Sequence, residues 1–301
     1  MNQSQTTRSP AFNAKVALRL GRVSNLPTVW TNVTAGVVLA GGAIEPVRML
    51  LLLAALSLFY IAGMYLNDAC DHEVDARERP ERPIPSGQVS AQRVFATGIA
   101  MLAAAEGLLA IASYGVEGGQ GWPPLVAGLA LASAIVYYDF HHKTNPMSPV
   151  VMGVCRVLVY LTAALMVAPG LSSAVLWGAG VLLAYLIGLT YAAKQENLSR
   201  LKNIWPLGFL ALPFAYGIFL VVESPPTIGI FLGFLAWVSY AVYVLVRPGR
   251  TNIPLAVGIL IAGISFLDAM LISGQGEHII ALFALGGVGL TRLAQRFIPG
   301  T

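Results

Sequence analysis

Charge is what this chain has least of. Of its 301 residues only 11% are charged, against 56% hydrophobic, whereas a soluble domain carries about 25% charged residues. That scarcity excludes a water-soluble globular protein and leaves an integral membrane protein as the class. Cysteine is also sparse: Cys70 and Cys155 are the only two, and neither sits in metal-ligand spacing, so no disulfide framework or zinc site is expected. The polar N-terminus, 1–15, lacks the short apolar core and small-residue cleavage site of a secretory signal. The first apolar span is therefore expected to stay in the mature protein. A formal net charge of +4 would suit nucleic acid, but no nucleic-acid motif is visible, and membrane topology accounts for the basic residues.

Long apolar runs take the place of the missing charge. Segments long enough to cross a bilayer cover 26–43, 47–66, 89–113, 122–138, 149–168, 171–192, 204–222, 227–246 and 253–272. They predict an all-α integral membrane protein of nine transmembrane helices, with 278–296 as a possible tenth. The short loops between them argue for a single domain over 1–301. Lys and Arg collect on alternate loops: Arg77, Arg79, Arg82 and Arg93 after the second span, Lys143 and Arg156 after the fourth, Lys194, Arg200 and Lys202 after the sixth. The intervening loops hold none, so the basic face is expected to be cytoplasmic, in the inner membrane, with 1–15 as a cytoplasmic tail.

Against this background the window "LNDACDHEVDARERPERPIPSG", 66–87, holds Asp68, Asp71, Glu73, Asp75, Glu78 and Glu81 out of fourteen carboxylates in all. On a helix Asn67, Asp71 and Asp75 share a face at four-residue spacing, with Asp68 to one side. Oxygen side chains stacked this way beside a low-dielectric core repel one another unless a cation compensates them. Hard oxygen donors in partial number, without a cysteine or histidine cage, suit Mg²⁺ shared with substrate phosphate. The plainer reading is a solvated helix end whose arginines are ordinary topology signals. Pro80, Pro83, Pro85 and Gly87 then end the helix and redirect the chain.

This window resembles the first aspartate-rich motif, N-D-x-x-D-x-x-x-D followed by an R-P-x-x-x-G loop, of the UbiA superfamily of intramembrane prenyltransferases. The resemblance implies a helical bundle around a central cavity, with Mg²⁺ on Asn67, Asp71 and Asp75 holding an isoprenyl diphosphate, and Asp68, Arg77 and Arg82 beside it. The family's second aspartate motif falls at "LTYAAKQENLSRLKNIWP", 189–206, where most of the carboxylates are missing. Lys194 stands in the place of the first aspartate, Glu196 and Asn197 remain near the later ones, and the "AKQEN" run is similar to EboC-like members. A lysine can replace a cation by pairing directly with a diphosphate oxygen, so Lys194 is a candidate catalytic residue with Asp71 and Asp75, and Arg200 and Lys202 are candidate helpers.

In "YYDFHHKTNPMSP", 137–149, the resemblance implies a loop near the diphosphate, with Tyr138, Asp139 and Lys143 facing the cavity. The adjacent His141 and His142 read as interfacial. Arg22, Asn25 and Asn32 lie on neighbouring turns of the first span, where Asn25 and Asn32 serve either helix contact or acceptor binding. Glu106 and Asp268 are single acids in apolar runs and read as paired or protonated packing residues. Two functions remain open: prenyl transfer from an isoprenyl diphosphate to a hydrophobic or aromatic acceptor, or non-catalytic binding or transport of an isoprenoid or lipid.

Overall fold

A computed structural model describes residues 13–43, 45–195, 204–247 and 252–300. The described residues are helical and contain no strand. This follows from the apolar composition, because a backbone in hydrocarbon must satisfy its own polar groups.

The helices are α1 (Ala14–Leu20), α2 (Leu26–Leu39), α3 (Pro46–Cys70), α4 (His72–Glu78), α5 (Ala91–Tyr114), α6 (Pro123–His141), α7 (Ser148–Leu165), α8 (Ser173–Ala193), α9 (Leu212–Glu223), α10 (Ile228–Val246), α11 (Ile253–Gly274) and α12 (His278–Ala294). Among the described residues eight helical segments are long and apolar enough to cross a membrane, two of them being Trp205–Glu223 and Pro225–Val246, which begin in 3₁₀ turns. The expected first span is the exception. It is a 14-residue helix, α2, preceded by a 3₁₀ turn and by Arg22 in the left-handed region at φ 41°. The final segment, α12, has 17 residues. The nine expected spans are thus eight full-length crossings and one short helix, with α12 as a further short apolar helix.

The helices close into a ring. Neighbours in sequence pack on one another from α2 and α3 through α5 to α12, and α12 returns to α2. Three members also meet across the interior, since α2 touches both α7 and α11. α11 is the most enclosed helix, with Leu260, Leu267, Met270 and Leu271 all at 0% exposure. The approach of α2 to α7 requires glycine at Gly36, where a Cβ would lie 2.7 Å from the Tyr160 carbonyl oxygen and 2.8 Å from the Ala163 Cβ. The two larger apolar cores lie one around α3, α5 and α6, the other around α8, α10 and α11. The cavity lies between them, lined by Met64 of α3, Met152 of α7, Leu189 of α8 and Ile261 of α11.

Candidate active site

The acidic window occupies one end of this cavity. α3 runs to Cys70 and α4 starts at His72, but the helical hydrogen bonds continue across the join: Asp71 N–H donates to the Asn67 carbonyl at 2.9 Å, and Asp75 N–H to the Asp71 carbonyl at 2.9 Å. Asn67, Asp71 and Asp75 therefore keep one face and all line a cavity of about 460 Å³. Asp68 turns aside and is 6% exposed. Its Oδ1 takes the Arg22 guanidinium at 2.8 Å and that of Arg82 at 3.4 Å.

The R-P-x-x-x-G loop fixes Arg82. Ser86 N–H and Oγ both donate to the Arg82 carbonyl, at 3.0 and 2.6 Å, and Gln88 N–H donates to the Pro83 carbonyl at 3.0 Å. Gly87 closes the turn at φ 74°, a conformation that disfavours residues with a Cβ. Arg82, held in this way, donates to Asp75 Oδ2 at 2.7 Å. Arg22 reaches Asp68 from a backbone conformation costing about 1–2 kcal/mol for a non-glycine residue.

Asp71 faces a different set of cations. Its Oδ2 lies 3.0 Å from Lys143 Nζ and 3.2 Å from His142 Nε2. Burial pushes this carboxyl up, yet the hydrogen bonds and charges of His142 and Lys143 outweigh it and hold Asp71 below its ordinary value. Lys194, at the end of α8, donates to Ser148 Oγ at 2.7 Å and to the carbonyls of Asn145 at 3.2 Å and His142 at 3.3 Å. Burial, and then the charge of Lys143, lower the Lys194 ammonium from its usual range. It borders the same cavity as Asp71.

Tyr138 lines the cavity and stacks on His142 with ring centroids 4.8 Å apart. Asn25 also lines it, donating to the Gly300 carbonyl at 2.9 Å and accepting from Gln295 at 3.1 Å. Asp139 is buried. Its Oδ1 accepts from Asn67 at 3.3 Å, and its Oδ2 is buried without a partner. Arg77 is exposed and does not line the cavity. Glu196, Arg200 and Lys202 lie outside the described residues.

Two residues were missed by sequence reasoning. His142, expected at the interface, also lines the cavity, because its position four residues after Tyr138 places both on one helical face. Arg156 was counted with the basic loops but lies eight residues inside α7, where it borders the cavity. Asn32 and Asp268, by contrast, are paired in helix contacts as packing residues would be.

Among the described residues no three His, Cys, Asp or Glu side chains gather into a protein-only metal cage. The donor chemistry nevertheless fits a hard divalent cation. Asn67, Asp71 and Asp75 offer only oxygen toward one space, and the ion pairs given above engage only Oδ2 of each aspartate. A cation of this kind completes its shell with water and phosphate oxygens.

Comparison with known proteins agrees with this fold. The chain is 27% identical over 286 residues to the digeranylgeranylglyceryl phosphate synthase of Methanopyrus kandleri, covering 90% of this chain and 96% of that one. It is 27% identical over 268 residues to the synthase of the same name from Thermococcus kodakarensis, covering 80% and 92%. Its fold matches the apo structure of a UbiA homolog from Aeropyrum pernix K1 with a TM-score of 0.60 at 16% identity, over 84% of this chain and 97% of that one. The model of the UbiA prenyltransferase family matches residues 28–283, and with that span the chain belongs to the UbiA prenyltransferase family.

Proposed function

We propose that the protein transfers a prenyl group from an isoprenyl diphosphate to a hydrophobic or aromatic acceptor within the bilayer, with Mg²⁺ as cofactor. One observation carries the reading. A single cavity joins Asn67, Asp71, Asp75, Lys143 and Lys194 to the apolar side chains of Leu186, Leu189, Val257 and Ile264, a recess with a charged mouth and a greasy wall that suits a diphosphate head on an isoprenoid tail. The names of the relatives, synthases of a digeranylgeranylglyceryl phosphate, support a prenyl donor and a lipid product.

Asn67, Asp71 and Asp75 would hold the Mg²⁺, which when bound supplies positive charge to the diphosphate oxygens. Lys194 and Lys143 place ammonium groups where the leaving diphosphate gathers negative charge. Arg82 and Arg22 keep Asp75 and Asp68 in position, so the oxygens are oriented before substrate arrives. The allylic carbon–oxygen bond breaks with its electron pair on the diphosphate, the acceptor bonds to the allylic carbon, and the acceptor's proton leaves. Apolar walls shield the electron-poor carbon from water. The reading takes the whole chain as one domain, with its charged mouth at the cytoplasmic face of the inner membrane, as the distribution of Lys and Arg suggests. Arg200 and Lys202 belong to it as candidate outer phosphate contacts and Glu196 as a remaining carboxylate of the second motif, whereas Arg77, exposed and away from the cavity, drops out of it.

The test is diphosphate release from farnesyl and geranylgeranyl diphosphate by the purified protein with a panel of hydrophobic and aromatic acceptors present, in Mg²⁺ or in EDTA. Release is expected with the metal and is lost with the chelator. Saturable donor binding without release across a broad acceptor panel would instead establish the second reading, an isoprenoid-binding or transport protein, which the missing carboxylates of the second motif favour.

A further inference from the structure

Of the three side chains offered to a hard cation, Asn67 differs in kind. Asp71 and Asp75 present oxygen whichever way they turn, but the Asn67 amide has an oxygen at one end and an NH₂ at the other. Only the oxygen suits a cation, so the end that faces the cavity has to be fixed.

The packing of α3 on α6 fixes it. The two helices approach closely at Gly63, where a Cβ would lie 3.2 Å from Ile135 Cγ2. Asn67 and Asp139 each stand four residues further on, about one helical turn along. There the two short side chains meet, and Asn67 Nδ2 donates to Asp139 Oδ1 at 3.3 Å. An ionised carboxylate only accepts, so it draws the NH₂ end of the amide toward α6 and leaves the oxygen for the cavity. Asp139 does not border the main cavity that Asn67 lines. It lines an adjoining apolar chamber of about 90 Å³ with Phe59, Ile135 and Val159, and therefore acts on the contents of the cavity through Asn67. His142 and Lys143, on the next turn, hold Asp71 Oδ2 at 3.2 and 3.0 Å, and Arg82 holds Asp75 Oδ2 at 2.7 Å. Each of the three side chains thus has one terminal atom tied to protein and one oxygen left.

Helix packing alone does not account for an acid at this position. Asp268, in its packing pair with Asn32, accepts at both carboxylate oxygens. Asp139 is nearly as enclosed, at 5% exposure, yet its Oδ2 is buried without a partner among the described residues. A half-used buried carboxylate is costly where an apolar side chain would fill the same chamber.

We propose that Asp139 is a positioning residue for the cation site: by taking the NH₂ end of Asn67 it locks the amide oxygen toward the divalent ion. This deepens the proposed Mg²⁺-assisted transfer and rests on it for the metal.

The test is Mn²⁺ binding to the full-length protein in phosphatidylcholine nanodiscs, read by electron paramagnetic resonance of the free ion, with geranylgeranyl thiodiphosphate present. Asp139→Ala should weaken binding by about tenfold or more, the scale for removing a group that orients a metal ligand. Asp139→Asn loses the charge but keeps an accepting oxygen, and should retain more of the affinity. Adding Asn67→Asp to Asp139→Ala should restore it, since a carboxylate offers oxygen from either end. Unchanged affinity in a folded Asp139→Ala, equal losses in Asp139→Ala and Asp139→Asn, or no restoration by Asn67→Asp each overturns the inference. Where Asp139→Ala fails to fold, the near-isosteric exchange of Asn67→Asp with Asp139→Asn decides. Affinity close to wild type supports the lock, and a loss as large as that of Asp139→Asn alone overturns it. Because binding is read without turnover, a lack of diphosphate release would count against prenyl transfer and leave this result standing, whereas a wild type that takes up no Mn²⁺ overturns the lock and the metal together.

Discussion

At the mouth of the cavity and in its interior, this protein handles buried charge in opposite ways. At the mouth each carboxylate of the first motif meets a cation directly: Asp68 with Arg22 and Arg82, Asp75 with Arg82, Asp71 with Lys143. In the interior Asp268 meets only hydroxyls and an amide, and Arg156 is reached through Asn32. The pairs of Asp71 and Asp75 border the open cavity, where a metal or phosphate can reach either partner. A relay through a neutral amide inside hydrocarbon has no such substitute, so its geometry is rigid. The mouth is therefore suited to exchanging ligands and the interior to aiming one donor group.

The comparison can be broken by substitution. Asp71→Ala or Asp75→Ala should lower diphosphate release by more than about 100-fold, on the scale of removing an electrostatic stabiliser, while the thermal midpoint in detergent moves little. A large fall in that midpoint would show that the mouth is structural. Asp268→Ala should do the reverse at the level of stability, costing about 1–3 kcal/mol for the donors left unpaired, read from unfolding in detergent or denaturant. A variant as stable as the wild type would show that the interior relay is not rigid. Lys194→Met should raise the KM for the donor by about tenfold, or about 1.4 kcal/mol, with little change in the thermal midpoint.

The smallest effect is one of pH. Donor binding needs the Lys194 ammonium, whose proton is held less tightly than usual because of burial and Lys143. Donor affinity should therefore weaken as the pH rises through a value below the ordinary lysine range of about 10.4, and Lys194→Met should lose that part of the decline. An identical pH profile in both proteins would remove Lys194 from the phosphate contacts.

The mouth was legible because its residues are close in sequence. Asn67, Asp71 and Asp75 repeat at helical spacing, and Arg82 to Gly87 carry their own turn chemistry, so local rules suffice. The crossings were legible for a similar reason, since each is one apolar run. The interior relay was not, because Asn32, Arg156 and Asp268 lie on three helices far apart in the chain, and no local pattern marks them as partners. Arg156 was misplaced because a count of basic residues by loop cannot see that α7 begins at Ser148 and carries the side chain inside. The short α2 was overestimated because 40–43 is apolar but leaves the helix after Leu39.

The brevity of α2 has a consequence of its own. Fourteen residues rise about 21 Å, less than the roughly 30 Å hydrocarbon thickness, so α2 is too short to cross a bilayer by itself. Arg22 and Asn25, in the segment just before it, line the same recess as Leu189 and Ile264, so the short helix leaves polar and apolar groups facing one shared space.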